Sequence, residues 1–392
     1  MRVNVVTPWY PSAAHPYSGV FVRQQVEALR RLGVDVEVEV PEVFPAPEGT
    51  VPPQVMGAMS SLAESDPRAA FRRDGSVTRV PAPIPSRIGA LGRARAFEEL
   101  LRLRRRVDAP SFDVTHAHLG VPTGVAVMGL SEAPLVITEH QSALPRLLED
   151  KGIRQAYRTL IERSAAFLTV SGTLRETMIE ALGPVATGVE VVPNIVDFDA
   201  LPPRTDRPTD FRKWLYVGTL AEHKGVGMLL DAFTRFVKRH DSGASLTLVG
   251  DGPMRPYIQT SAARRGLDRQ VTLHGALPHR DVPHHLATAD VLVHLSPFET
   301  FGIAAVEAIA TGTPVVVREN GGSKTVWGDI SSKCGRLLDR DVTADGVAEA
   351  VAQLRDHPDL LDLRAARQVL ASRFSAEIVG GQLLDIYARH VR

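Results

Sequence analysis

The chain has 392 residues, 44% hydrophobic and 23% charged, the make-up of an ordinary globular protein and too long for a single core, so two domains are expected. Its 45 Lys+Arg balance 45 Asp+Glu, which excludes a strong pull toward nucleic acid or an anionic membrane. One cysteine, Cys334, rules out an intrachain disulfide and fits a reducing cytosol. The opening "MRVNVVTPWYP" holds too short an apolar run for a signal peptide and is broken by Pro8 and Pro11. No run approaches the roughly 20 apolar residues of a bilayer helix. The expectation is a soluble, cytoplasmic protein with at most peripheral membrane contact.

In chain order, "RVNVVT" (2–7) reads as a strand, "VFVRQQVEALRRLG" as a helix ending at Gly33, and "VDVEVEV" (34–40) as a second strand. Residues 41–86 are rich in proline and lack periodicity, so an ordered but irregular excursion is expected there. The basic stretch 86–110 reads as a helix packed on a sheet with its arginines solvated, in preference to a membrane-surface helix. "FDVTHAH" (112–118), "PLVITEH" (134–140), "AAFLTVS" (165–171) and "VEVVPN" (189–194) are further strands. His116 and His118 share one face of a strand end, and His140 ends the next strand. A metal would need a third ligand, so the histidine pair is not read as a metal site.

After a polar, proline-bearing linker (197–211) the pattern restarts. "KWLYVGT" (213–219), "SLTLVG" (245–250), "QVTLHG" (270–275), "DVLVHLS" (290–296) and "TPVVVR" (313–318) are strands with helical patterns between them. Each half can form its own doubly wound parallel sheet, whose ligands sit at the carboxyl ends of the strands. His279, His284 and His285 read as solvated on a surface helix. The "DFD" at 197–199 lies in the linker and is not read as a metal site.

The stretch "SPFETFGIAAVEAIATG" (296–312) keeps two carboxylates, Glu299 and Glu307, in a segment otherwise built for burial. A helix is expected to start near Phe301 and close at Gly312. The amides of Phe301, Gly302 and Ile303 would then lie in its first turn, an anion site by virtue of free N–H groups and the dipole. Either carboxylate alone passes for a solvated residue, but the Ala- and Ile-rich surroundings of Glu307 speak against that. Carboxylates accept hydrogen bonds and a ribose diol donates them, so the pair suits a nucleotide sugar.

Here the sequence resembles the two-glutamate signature (Glu, seven residues, Glu) of the retaining family-4 glycosyltransferases, with "ETFG" and "GTPVV" as flanks. "YVGTLAEHKGVGMLLDAF" (216–233) is similar to the segment that grips the donor diphosphate in that family, Lys224 matching its lysine. Thr219 stands where many members have an arginine, and Arg255, Arg318 and Lys324 are the candidates to compensate. "LVGDGPMRPYI" (248–258) and "VTLHGAL" (271–277) resemble the strand ends that cup the base, giving Gly250 and His274 as candidates. "VVPNIVDFDAL" resembles the family's entry to the second domain, and "YSGVFVRQQVEAL" its glycine loop, with Gly19 as the candidate.

The resemblance implies the GT-B architecture: an α/β fold of two Rossmann-like domains facing a cleft. These would be an acceptor domain at 1–196, a nucleotide-sugar domain at 197–374, and a helix at 375–392 crossing back to the first. It implies a catalytic set of His118, Lys224 and Glu299, a donor set of Gly19, Thr219, Lys224, Gly250, His274, Phe301, Gly302, Ile303 and Glu307, and His140 on the acceptor side. It further implies retention by same-face attack, a UDP-sugar donor, no metal or other cofactor, and a sugar, aminocyclitol or glycan acceptor. An epimerase on the same architecture and a silent nucleotide-sugar-binding subunit are the alternatives.

Overall fold

The computed structural model describes residues 1–45, 52–66, 70–84, 88–107 and 110–391. The chain divides into two compact units. One holds Met1–Pro11, Ser18–Pro193 and the chain from Val379 on, and the other holds Ser12–Tyr17 and Asn194–Ile378.

The first unit is built on a sheet of eight strands: β1 (Arg2–Val6), β2 (Asp35–Pro45), β3 (Arg72–Asp74), β4 (Val77–Ile84), β5 (Val114–His118), β6 (Leu135–Glu139), β7 (Ala166–Thr169) and β8 (Glu190–Val191). Their order is β3-β4-β2-β1-β5-β6-β7-β8. All pairs are parallel except β3 with β4. β5 and β6 are buried along their whole length, as in sheets covered on both faces.

The irregular excursion expected for 41–86 is corrected. β2 runs on to Pro45, a helix covers Pro52–Ser65, and β3 and β4 form a hairpin. Residues 46–51, 67–69 and 85–86 of that stretch lie outside the described residues. The prolines misled because Pro81 and Pro83 are both in β4, two residues apart, so the donors they lack are missing from one side of the strand only. The other side pairs with β2 through Ile84, whereas β3 reaches no further than Arg79. The helix Ala90–Val107 buries Ala94, Phe97, Leu100, Leu101 and Leu103, and leaves Arg93, Arg95, Arg102 and Arg106 exposed.

The terminal helix Ala376–Ala388 contributes Tyr387 to the core of this first unit. The Tyr387 hydroxyl lies 2.6 Å from Nδ1 of His116 on β5, whose Nε2 lies 2.7 Å from Thr138 Oγ1 on β6. Arg389 holds Glu190 at 2.9 Å.

The second unit is an all-parallel six-stranded sheet: β9 (Lys213–Val217), β10 (Ser245–Val249), β11 (Val271–Gly275), β12 (Val291–His294), β13 (Val315–Arg318) and β14 (Gly335–Leu338). The order is β11-β10-β9-β12-β13-β14, so the winding reverses between β9 and β12. Crevices for ligands open at the carboxyl ends of such a pair. The core beneath is anchored by Trp214, with Phe233 and Phe236 at 5.5 and 5.0 Å between ring centroids.

Glu139, at the end of β6, is fully buried and accepts four hydrogen bonds. They come from the Tyr157 hydroxyl (2.5 Å), Gly120 N (2.9 Å), His140 N (2.8 Å) and Gln141 N (2.8 Å). Burial lifts its carboxyl above the usual range despite these donors. Tyr157→Phe removes one donor without changing shape. It should lower stability by about 1–3 kcal/mol, read by denaturant unfolding, and an unchanged midpoint would contradict the anchoring role.

Candidate functional site

In the second unit two loops meet across the strand reversal. After β9 the chain passes Gly218 and Thr219, forms a short turn at Glu222–Lys224, and enters the helix Val226–Arg239 through Gly225. Gly225 has φ 72°, and a Cβ there would lie 2.3 Å from Leu295 O, so only glycine lets the turn sit this close to the chain leaving β12. After β12 comes Glu299, whose backbone is held from both sides: its N–H donates to Asn320 O (3.1 Å) and its carbonyl accepts from Gly322 N (3.0 Å).

These constraints bring Lys224 Nζ to 2.6 Å from Glu299 Oε1. Both side chains are mostly shielded, with 17% and 13% of their surface exposed. His294 Nε2 lies 3.8 Å from the same oxygen. Burial opposes ionisation of Glu299, but His294, Lys224 and hydrogen bonds from Lys224 and Ser296 outweigh it and hold the carboxyl below its ordinary value. Burial also keeps the His294 imidazole below its ordinary 6.5, with Glu299 opposing that shift and Lys224 reinforcing it.

The expected helix start is corrected by two residues. The helix is Ile303–Thr311, entered through Gly302 in the left-handed conformation and left through Gly312. Phe301 lies outside it, its ring buried edge-on to Phe374 at 5.2 Å. No side chain caps the start, so its terminal N–H groups have no side-chain partner there, and a Cβ at Gly302 would meet nothing within 4 Å. Glu307 is 3% exposed. Its Oε1 is 2.8 Å from His279 Nε2, which corrects the reading of His279 as merely solvated. His274 is exposed and lies 4.7 Å from His285, ring to ring.

Gly250 has φ 141° and donates its N–H to Gly275 O at 2.8 Å; a Cβ would lie 1.9 Å from Gly218 O. The ends of β9, β10 and β11 therefore converge as bare backbone. Thr219 is exposed, and its carbonyl accepts from the Tyr216 hydroxyl (2.8 Å). Of the candidates to replace the absent arginine, Arg255 donates to Leu273 O (3.3 Å), Arg318 to Arg340 O (2.6 Å), and Lys324 lies 3.9 Å from Glu319. Asp197, of the "DFD" triplet, accepts from the N–H groups of Asp199 and Ala200, a local turn. Among the described residues no group of three or more His, Cys, Asp or Glu is placed to hold a metal ion, and no helix is long and apolar enough to cross a membrane.

In the first unit His118 Nδ1 and His140 Nε2 are 2.8 Å apart, and His116, His118 and His140 stack at 4.5 and 5.1 Å. His118 is buried, and its Nε2 has no hydrogen-bond partner among the described residues. Burial, with His116 and His140 as neighbours, holds His118 well below its ordinary value. The strand end is strained: Leu119, buried and not a glycine, has φ 76°. Gly19 caps the helix Val20–Arg31 at φ 63°, and a Cβ there would lie 1.9 Å from Trp9 O.

Residues 18–195 match the profile described as "Glycosyl transferase 4-like domain", and residues 197–368 that described as "Glycosyl transferases group 1". The chain belongs to the family-4 type of GT-B glycosyltransferases. It is 29% identical to the glycogen synthase of Mycobacterium tuberculosis (strain ATCC 25618 / H37Rv) over 402 residues, covering 99% of this chain and 94% of that protein. It is 30% identical to the 2-deoxystreptamine glucosyltransferase of Streptomyces kanamyceticus over 349 residues, 80% of this chain and 88% of the other. Among solved structures, the sucrose-phosphate synthase of Thermosynechococcus elongatus superposes with a TM-score of 0.77 at 18% identity, covering 99% of each chain. HepE of Anabaena, solved with UDP and glucose, superposes at 0.71 and 17% identity, covering 99% of this chain and 100% of that one. At such identities these neighbours speak for the fold alone.

The sequence reading missed His294, His279, Glu139 and Tyr387. His294 and Glu139 carried a usable signal, a polar residue at the carboxyl end of a buried strand. Tyr387 and His279 find their partners far along the chain, 271 and 28 residues away, which no local pattern encodes.

The buried histidines set a pH dependence for the enzyme. His116 is pushed down to about 3 by burial, from 6.5. Below pH 6.5 the unfolded chain takes up a proton that the folded one refuses, so stability falls as pH drops through that window. The thermal midpoint should decline from about pH 6.5 downward, and His116→Gln should make the decline shallower by up to one proton. Identical pH slopes in the two proteins would refute the assignment.

Proposed function

We propose that this enzyme transfers a sugar, with retention of anomeric configuration, from a nucleotide-diphosphate sugar to a hydroxyl of a polyol or glycan acceptor. The observation that carries the reading is the meeting of Lys224, Glu299 and an uncapped helix start at the strand reversal of the second unit. The diphosphate takes the Lys224 ammonium and the N–H groups around Gly302 and Ile303, where charge on the leaving group develops. This places the positive field on the protein itself, and the reading assigns no step to a metal. Phe301 contributes through its backbone, since its ring is buried.

Glu307, held at one oxygen by His279, offers the other to the ribose diol. The bare backbone at Gly250 and around His274 receives the base. In the second unit Glu299 attends the sugar; in the first, His118 is the catalytic candidate, His140, bonded to it, borders the acceptor, and Gly19 lets its own loop pack closely. UDP is the first choice of nucleotide, as the family resemblance suggests. The acceptor classes follow the relatives: an aminocyclitol, as the 2-deoxystreptamine enzyme's name states, or a growing glycan, as that of glycogen synthase states.

A panel of nucleotide sugars is scored by thermal shift; the true donor at about 100 times its Kd adds about 2.7 kcal/mol. Lys224→Ala should abolish transfer in a folded protein, and near-normal turnover would remove the diphosphate role. Glu307→Ala should weaken donor binding more than it slows the bound complex, and an unchanged Kd would count against the ribose contact. The anomeric configuration of the product, read by proton NMR, tests retention.

A further inference from the structure

The Lys224–Glu299 pair has a third member to which the donor reading gives no task. His294 closes β12, is 7% exposed, and sits 3.8 Å from the carboxylate oxygen that Lys224 holds at 2.6 Å. Its ring lies flat on Tyr216 (5.5 Å between centroids, 9° between planes), and Tyr216 in turn donates its hydroxyl to Thr219 O. β13 sets the apolar Val317 beside it in register. Among the described residues, the titratable groups placed against the imidazole are the Glu299 carboxylate, the Lys224 ammonium and the Tyr216 phenol.

With Lys224 in place a second cation at Glu299 is disfavoured, and the buried imidazole stays neutral near pH 7. A diphosphate alters the balance. It draws the ammonium toward itself and leaves a shielded carboxylate without its cation, an arrangement that is costly to maintain. The nearest group able to become a cation is His294.

We infer that His294 takes up one proton from solvent when a nucleotide-diphosphate sugar binds, replacing Lys224 as the counter-charge of Glu299. The charged imidazole also adds positive charge to a site where Thr219 stands in the place of an arginine. The inference rests on the donor site proposed above. Only an N–H bond forms, and the proton comes from the buffer. The donor's own diphosphate, esterified at both ends, does not titrate near neutrality, unlike a terminal phosphate with its second ionisation at about 6. His294 acts through Glu299 and is a positioning residue: it keeps that carboxylate ionised and in place while Lys224 serves the diphosphate.

Calorimetry of the full chain with UDP-, GDP- or ADP-glucose, repeated in two buffers of different ionisation heat, counts the protons taken up. Up to one proton is expected near neutrality, with affinity tightening by at most roughly tenfold per unit as pH falls from about 8 to about 6.5. His294→Gln should abolish the uptake and flatten the pH dependence. Lys224→Met gives an independent readout on the free protein, because with the ammonium gone His294 should titrate at higher pH, followed by NMR of the imidazole. Binding without proton uptake, uptake that survives His294→Gln, or an unmoved His294 titration in Lys224→Met overturns the inference and leaves the donor site standing. If none of the sugar nucleotides binds, the donor-site reading falls and this inference with it.

Discussion

One shielded ion pair, Lys224 with Glu299, sets what the second unit has to build. Its members come from loops after β9 and β12, the two strands between which the winding reverses, and only that strand order makes the loops neighbours. Backbone fixes both ends. Gly225 packs close to Leu295 O, and the Glu299 backbone is hydrogen-bonded to Asn320 and Gly322, so the chain carrying each charge is held in place while the side chains can still adjust. Such a pair adds little net stability, since desolvation offsets most of the Coulomb gain. Its value lies in readiness. A cation held beside a carboxylate, at the mouth of an uncapped helix, can change partner with little movement of the chain, which suits an enzyme whose leaving group gathers charge during the reaction.

The first unit organises its histidines around a buried carboxyl, Glu139. Glu139 gathers four donors, three of them the backbone amides of Gly120, His140 and Gln141, and so ties the carboxyl ends of β5 and β6 together. His116 is tied on both ring nitrogens, whereas His118 Nε2 has no hydrogen-bond partner among the described residues. The strained Leu119 marks the same place. A site held this tightly has its geometry set before any ligand arrives.

Much of this was legible in the sequence. Strand ends were marked by apolar runs, the two glutamates stood out because charged residues are rare in segments built for burial, and the Lys-Gly turn stood out through its resemblance to the family's segment. The helix start at Gly302 was not legible, because Phe301 prolongs the apolar pattern; its ring packs against Phe374 while its backbone is still outside the helix. The roles of His279 and His294 were also hidden. Each depends on a carboxylate supplied by another element, and a histidine looks the same in sequence whether it is solvated or bonded. The β3–β4 hairpin was obscured by prolines, whose usual meaning as strand breakers fails where one side of the strand goes unpaired.

That flank, without a ladder partner beyond Arg79 among the described residues, carries a consequence of its own. Beyond Arg79 the outer flank of β4 runs past the end of β3, and Pro81 and Pro83 strip amide hydrogens from it at alternate positions. A passing strand from a second molecule would find a ladder with rungs missing, so the sheet can stop there without recruiting a copy of itself.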